Sequence, residues 1–240
     1  MTTRKPLKED PAKLAALSSK RIFISGNRNA STWAMRAWLA LKEGGITFDD
    51  YEVDLRRPQR FQGLELLRSV SPSLSVPVLL DGGVGIFDSL AIMAHANDLS
   101  GGKLMPDDPR LRSRAHSMLA WQHAGLSGCC GALSFESAFH PQRRALTDRE
   151  QQEASQLFAT IHQEIWRYGG PFLYGDITLA DLALVPTFVR ILAYKPVIEG
   201  CDEALAWVDL LLNRPSVKEW MAEANRLAPV YPDADGPKED

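Results

Sequence analysis

The chain has 240 residues, 45% hydrophobic and 24% charged, a composition that excludes disordered, collagen-like and coiled-coil classes. At roughly 100 to 200 residues per domain the length provides for two modest domains. Twenty-seven basic against thirty acidic residues give a net charge of -3, too little positive field to hold a polyanion or an acidic membrane surface, so neither nucleic acid nor membrane is expected as a partner.

Three cysteines, with Cys129 and Cys130 adjacent, do not make the spaced, even framework of a disulfide-stabilised secreted protein, and a reducing, cytoplasmic location is expected. Residues 1–20 place charges on both sides of a short apolar patch without the apolar core of a signal peptide, and they read as a loosely attached arm. Arg21–Ser25 is β-rich and ends at the turn signal Gly26-Asn27, which predicts a strand. From Thr32 to Glu43 the apolar positions Ala34, Ala37, Trp38 and Leu41 recur at helical spacing before Gly44-Gly45, which predicts a helix with a glycine stop. A second strand follows over Thr47–Val53, a short helix over Phe61–Val70, and a third strand over Val76–Leu80. Asp81-Gly82-Gly83 turns the chain into Val84–Phe87 as a hairpin, and Asp88–Leu99 is helical in period.

This βαβαββα order demands a mixed sheet, because the crossover gives parallel neighbours and the hairpin an antiparallel pair. Beyond Met105-Pro106 the apolar residues sit at helical spacing, predicting helices near 109–133, 148–168, 178–194, 203–212 and 215–226. The expected organisation is an arm (1–20), an α/β domain (21–102), an all-α helical domain (106–228) and a loose tail (229–240) rich in Asp and Pro.

Three places carry candidate chemistry, each with a plain structural reading beside it. Ser31 opens the first long helix, where serine is a common N-cap; Thr32 serves equally as a cap. At Val76-Pro77 a cis bond would free the Val76 backbone groups for a peptide-like ligand, but base rates favour trans. Asp88-Ser89 opens the next helix: a helix N-terminus takes a carboxylate and a neighbouring acid takes an ammonium, although Asp88 is equally a cap.

Their order along the chain resembles the cytosolic glutathione transferases of serine type, with an amino-terminal thioredoxin-like domain. Residues 25–55 (SGNRNASTWAMRAWLALKEGGITFDDYEVDL) are similar to the serine-type classes, with Ser31 five residues before Arg36 as in the zeta and tau patterns. Residues 71–92 (SPSLSVPVLLDGGVGIFDSLAI) are similar to the asparagine-proline, valine-proline and acidic-serine block. Residues 170–184 (GPFLYGDITLADLAL) match the hallmark of the helical domain, in which Thr178 and Asp181 make a capping box. Two departures stand out. The Lys often found two residues before the proline is Ser75, so either tripeptide affinity falls or another cation, such as Arg28 or Arg57, takes its place; and the usual Glu-Ser is Asp-Ser.

The resemblance implies a transferase with glutathione as co-substrate, an apolar small-molecule electrophile, a homodimer and no metal. It assigns Ser31 to the glutathione sulfur, Val76 and Pro77 to the cysteinyl backbone, and Asp88 and Ser89 to the γ-glutamyl head, with Trp33 and Asn29 near the thiol. The electrophile is expected between the domains, against the loop Asn27 to Ala30 and the helix bearing Trp121, His123 and Cys130. Packing in the core is the favoured reading for Trp121 alone, and a satisfied or solvent-facing role for His116 and His123, whose spacing completes no metal site. Arg36 is expected in an ion pair or on a carbonyl. An isomerase, ether lyase or peroxidase would use the same activated thiolate, and a non-catalytic binding protein would keep the fold without turnover.

Overall fold

A computed structural model describes residues 4–17, 20–126, 133–141 and 144–230. Its sheet contains β1 (Lys5–Pro6), β2 (Arg21–Ser25), β3 (Phe48–Glu52), β4 (Val78–Asp81) and β5 (Val84–Phe87), ordered β1-β3-β2-β4-β5. The β2–β3 pair is parallel, with Arg21 opposite Phe48, whereas β2–β4 and β4–β5 are antiparallel, with Ile24 opposite Val78 and Val78 opposite Phe87. Successive strand residues point to opposite faces. Phe23 and Leu79 therefore join one core with α2 (Thr32–Glu43) and α4 (Ser89–Leu99), while Ile22, Ile24, Val78 and Leu80 join a second with Leu67 and Leu55. Leu67 belongs to the 3₁₀ turn after α3 (Gln59–Glu65), so the predicted 61–70 helix is an α-helix that tightens midway.

The glycine stop of α2 is a Schellman closure: Gly45 takes φ +72, its N–H bonds to the Lys42 carbonyl, and the Ile46 N–H reaches Leu41. β4 begins two residues later than predicted. The Val76-Pro77 bond is cis rather than the expected trans, and Pro77 has no N–H for the ladder, whose first pair is at Val78.

Residues 4–17 of the arm are not loose. Lys5 and Pro6 pair in parallel with Tyr51 and Glu52, the Leu7 N–H bonds to the Glu52 carbonyl at 2.7 Å, and α1 (Pro11–Leu17) follows. The Arg4 guanidinium ties it down further, reaching Ser25 Oγ at 3.1 Å, the Gly26 carbonyl at 2.5 Å and Glu52 at 2.5 Å. Nor is Val230 loose: it is buried, and its N–H bonds to the Glu136 carboxylate at 2.7 Å. Residues 231–240 lie outside the described residues.

The helical region comprises α5 (Pro109–Trp121), α6 (Asp148–Tyr168), α7 (Leu179–Leu192), α8 (Asp202–Leu212) and α9 (Pro215–Ala224). α5 gives way at Gln122 to a π turn through Leu126, and residues 127–132, over which the predicted helix continues, lie outside the described residues. An unbroken run of buried residues over Leu179–Val189, apolar but for Asp181 and Thr187, makes α7 the central element. Its start is fixed by Asp181, fully buried, which accepts from Thr178 N at 2.8 Å, Thr178 Oγ1 at 2.7 Å, Leu173 N at 3.0 Å and Trp207 Nε1 at 2.8 Å.

Arg28 joins the sheet to the helices. Fully buried, it lies between the Trp38 and Trp220 rings, 4.7 Å from each centroid, and pairs with Asp50 at 2.6 Å and Glu223 at 3.1 Å. A second clamp sets Arg214, at the head of α9, on Glu43 at the end of α2, with bonds of 2.9 and 2.5 Å and a further bond from Ser216. Burial alone would push the Glu43 carboxyl up, but the bonds from Arg214 and Ser216 outweigh it and hold it below its ordinary value. Such a depressed carboxylate contributes stability above the unfolded value, near 4.3, and that contribution disappears as pH falls through the folded one. Glu43→Gln is therefore expected to cost about 1–3 kcal/mol at neutral pH, with the difference from wild type closing on acidification, as read from urea midpoints at several pH values.

Candidate functional site

The end of β5, the start of α4 and the turn after α5 meet around a cleft of about 240 Å³ lined by Trp33, Ser75, Val76, Pro77, Asp88, Ser89 and His123. Six of the residues singled out in the sequence thus come together: Trp33, Val76, Pro77, Asp88, Ser89 and His123.

Asp88 reaches this place through a sparsely populated backbone conformation, φ +70 and ψ 132, adopted by few residues other than glycine. Its carboxylate accepts from the Leu90 N–H at 2.7 Å, so the cap role is realised, and the exposed side chain still borders the cleft. Ser89, almost fully buried, presents its oxygen to Arg36, accepting from Nε at 3.0 Å and Nη2 at 2.8 Å. Helices α2 and α4 begin at this end of the sheet, so the partial positive charge of the α4 N-terminus adds to that of Arg36.

Arg36 is the group whose importance spacing did not reveal. It is fully buried, and its bonds go to neutral partners and not to a carboxylate: Ser89, the side-chain amide carbonyl of Gln122, which is the kind of acceptor expected, and His123 Nδ1 at 2.6 Å. The Trp33 ring lies 4.4 Å from the guanidinium carbon, and His123 stands edge-on to Trp33 at 5.5 Å. Burial lowers the Arg36 pKa to about 10, partly offset by the charge of Asp88, so the side chain stays cationic at neutral pH. A buried charge with neutral donors and acceptors around it projects its field toward the cleft instead of being cancelled locally. The signal available in the sequence was an arginine amid Ala34, Met35, Ala37 and Trp38, on a helix otherwise apolar at that level.

Ser31 is buried at the N-cap of α2 and makes no side-chain capping bond, so the cap reading does not account for its hydroxyl. It is not among the residues lining the cleft. The preceding loop is turned inward. Asn27 accepts from the Leu55 N–H at 2.7 Å and donates to Glu52 at 3.2 Å, and Asn29 donates to the Ala228 carbonyl at 2.9 Å. Both side chains close loops rather than face a ligand, and Ala30 packs against the second core. Like Ser31, Asn27, Asn29 and Ala30 are not among the residues lining the cleft.

Trp121, expected in the core, is 37% exposed and lies outside the cleft. The buried stripe of α5 runs Ala115, Met118, Leu119 and on to Gln122, which leaves Trp121 beside it. His116 is exposed, and Cys129 and Cys130 lie outside the described residues. No cation replaces the lysine at Ser75 in the cleft lining: Arg28 is enclosed by its tryptophans, and Arg57 is exposed and does not reach the lining. Ser75 instead ends a chain of hydroxyls, 2.7 Å from Ser73, which is 2.9 Å from Ser71. Among the described residues no group of three His, Cys, Asp or Glu could hold a metal ion, and no helix is long and apolar enough to cross a membrane.

A family model described as the N-terminal domain of glutathione S-transferase matches residues 30–99, which span α2 to α4. Glutathione S-transferase theta-1 of Mus musculus is 27% identical over 184 residues, covering 71% of this chain and 74% of its own. An epsilon-class glutathione S-transferase from the housefly, Musca domestica, superposes with a TM-score of 0.68 at 21% identity, covering 86% of this chain and 94% of that one. A glutathione transferase homologue from Burkholderia with bound glutathione gives a TM-score of 0.63 at 21% identity, over 87% of this chain and 100% of that one. These two solved structures share the fold: a thioredoxin-like α/β domain followed by a helical one.

Proposed function

We propose that the chain is a cytosolic glutathione transferase, that its cleft binds glutathione and that Ser31 stabilises the glutathione thiolate for attack on an apolar electrophile. The observation that carries this reading is the meeting of Val76-Pro77, Asp88 and Ser89 in one cleft beside the buried, carboxylate-free Arg36. An α-amino-acid head group bears one charge of each sign. Asp88 answers its ammonium, while Ser89, the α4 N-terminus and the field of Arg36 answer its carboxylate. Val76 stands just before the first ladder pair, where its backbone groups suit a peptide-like partner.

A free thiol titrates near ~8.5 and is mostly protonated at neutral pH. A hydroxyl donor to an anion contributes roughly 1.5–3 kcal/mol, which at 1.36 kcal/mol per unit lowers the thiol pKa by about one to two units. The uncommitted Ser31 hydroxyl at the start of α2 supports this role, with no general base required. The domain at residues 21–102 holds the tripeptide in this scheme, and the turn after α5 faces the electrophile. A homodimer and a cytoplasmic location complete the proposal by family resemblance.

The test is glutathione consumption in the presence of an aromatic electrophile, followed in the wild type and in Asp88→Asn. Asparagine caps α4 as well as aspartate does, so the fold is retained. Loss of the ammonium partner is expected to raise the glutathione Kd about tenfold, measured by calorimetry. An unchanged Kd would remove Asp88 from the binding site, and a wild-type chain without glutathione-dependent turnover would reject the proposed activity.

A further inference from the structure

His123 stands in the cleft with its chemistry already decided by its neighbour. The Arg36 guanidinium carries N–H donors and no acceptor, so the 2.6 Å contact between Arg36 Nη2 and His123 Nδ1 exists only if Nδ1 offers its lone pair. Turning the ring over would set a C–H against an N–H and forfeit the bond. The imidazole is therefore neutral, with its proton on Nε2. Arg36 cannot shift to accommodate another arrangement, because Ser89 and Gln122 hold its other nitrogens and Trp33 covers its face. The Trp33 edge contact fixes the ring plane in turn. With Nδ1 committed to the buried cation, Nε2–H is the polar group the half-buried ring has left for the cleft. A cation bonded to Nδ1 polarises that N–H and strengthens it as a donor.

We propose that His123 Nε2–H is a fixed hydrogen-bond donor to an electrophile oxygen that gains negative charge, which makes α,β-unsaturated carbonyl compounds the preferred substrate class. The inference rests on glutathione chemistry in this cleft. In the step, the thiol proton passes to water and the thiolate sulfur bonds to the β-carbon. The π electrons move onto the carbonyl oxygen, and the resulting enolate accepts from Nε2–H. Its α-carbon then takes a proton from water, and no group leaves. The walls formed by Trp33 and Pro77 suit the carbon body of such a molecule. A donor placed where charge develops acts mainly in the transition state, and removing one such donor costs about 10²–10³-fold in rate. In halide displacement the charge departs on the leaving group, so the same donor contributes less.

Two measurements test this. In the ¹⁵N-labelled wild-type protein, imidazole NMR should show His123 as the Nε2–H tautomer with a bare Nδ1; the opposite tautomer or a doubly protonated ring at neutral pH would overturn the proposal. In kinetics, His123→Leu should lower the ratio of kcat/KM for an enone to that for an alkyl halide about 100-fold, and His123→Gln, which retains an N–H donor, should recover part of it. Equal losses on both electrophiles, or no loss on either, would overturn the role of His123 while leaving the transferase activity standing. A wild-type chain that conjugates neither electrophile would overturn both.

Discussion

Ser31→Ala is expected to lower kcat/KM roughly 10- to 100-fold at neutral pH while leaving glutathione affinity within a few-fold of wild type. The magnitude follows from removing one hydroxyl donor to a charged sulfur, about 1.5–3 kcal/mol, where each 1.36 kcal/mol is a factor of ten. The pH dependence separates this from a general loss of activity. With Ser31 the rate should rise through an inflection one to two units below the free thiol value of ~8.5; without it, the inflection should move up toward that value. The gap between the two proteins then narrows as pH rises, because the alanine variant ionises its thiol unaided. The backbone of Ser31 accepts from Met35 N–H and donates to the Asn27 carbonyl, both of which alanine preserves. Since the side chain makes no capping bond, little stability should change. Identical profiles for the two proteins would take Ser31 out of the mechanism, with Thr32 as the adjacent hydroxyl to examine.

Asp181→Ala is expected to be the most destabilising single substitution considered, at roughly 4 kcal/mol. Four buried donors converge on this carboxylate, from Leu173, Thr178 twice, and Trp207. Alanine leaves them without an acceptor in a place water does not reach, and each unsatisfied buried group costs about 1–3 kcal/mol before relaxation. The damage is not local to a cap, since Trp207 belongs to α8 and Leu173 to the segment before α7. Against a total of about 5–15 kcal/mol for a folded protein, this loss is large. Asp181→Asn keeps one acceptor but turns a donor toward Thr178, so it should fall between wild type and alanine. The readout is the urea midpoint, and an alanine variant with an unchanged midpoint would show that the network contributes nothing net.

Much of the fold is legible in the sequence because local signals and tertiary demands agree there. The strand Arg21–Ser25, the helix Thr32–Glu43 and the hairpin around Gly82-Gly83 are bounded by residues whose backbone preferences end elements, and the structure ends them in the same places. The arm escaped because a two-residue strand has no period to detect, and it is held by Arg4 and Leu7 through contacts with residues distant in sequence. The cis bond at Val76-Pro77 has no local signature that overrides the usual preference.

The candidate site divides the same way. Asp88 and Ser89 were legible as a helix start, and His123 as a polar residue on the first long helix. The inward-facing Asn27 and Asn29 were not, because an asparagine closing a loop and one facing a ligand look alike in sequence. Arg36 could be seen as a charge on an apolar helix, but its partners Ser89, Gln122 and His123 lie far along the chain, two of them at a helix break that periodicity overran.

The central claim is an activated glutathione thiolate in the cleft of Trp33, Val76, Asp88 and Ser89. It is tested most directly by calorimetric titration of the protein with glutathione, combined with the ultraviolet absorbance of the thiolate as pH is raised from acid to neutral. The account predicts binding, with the thiolate signal appearing one to two pH units below the free thiol's ~8.5. Absence of binding, or a bound thiol that ionises only at its free value, would contradict it.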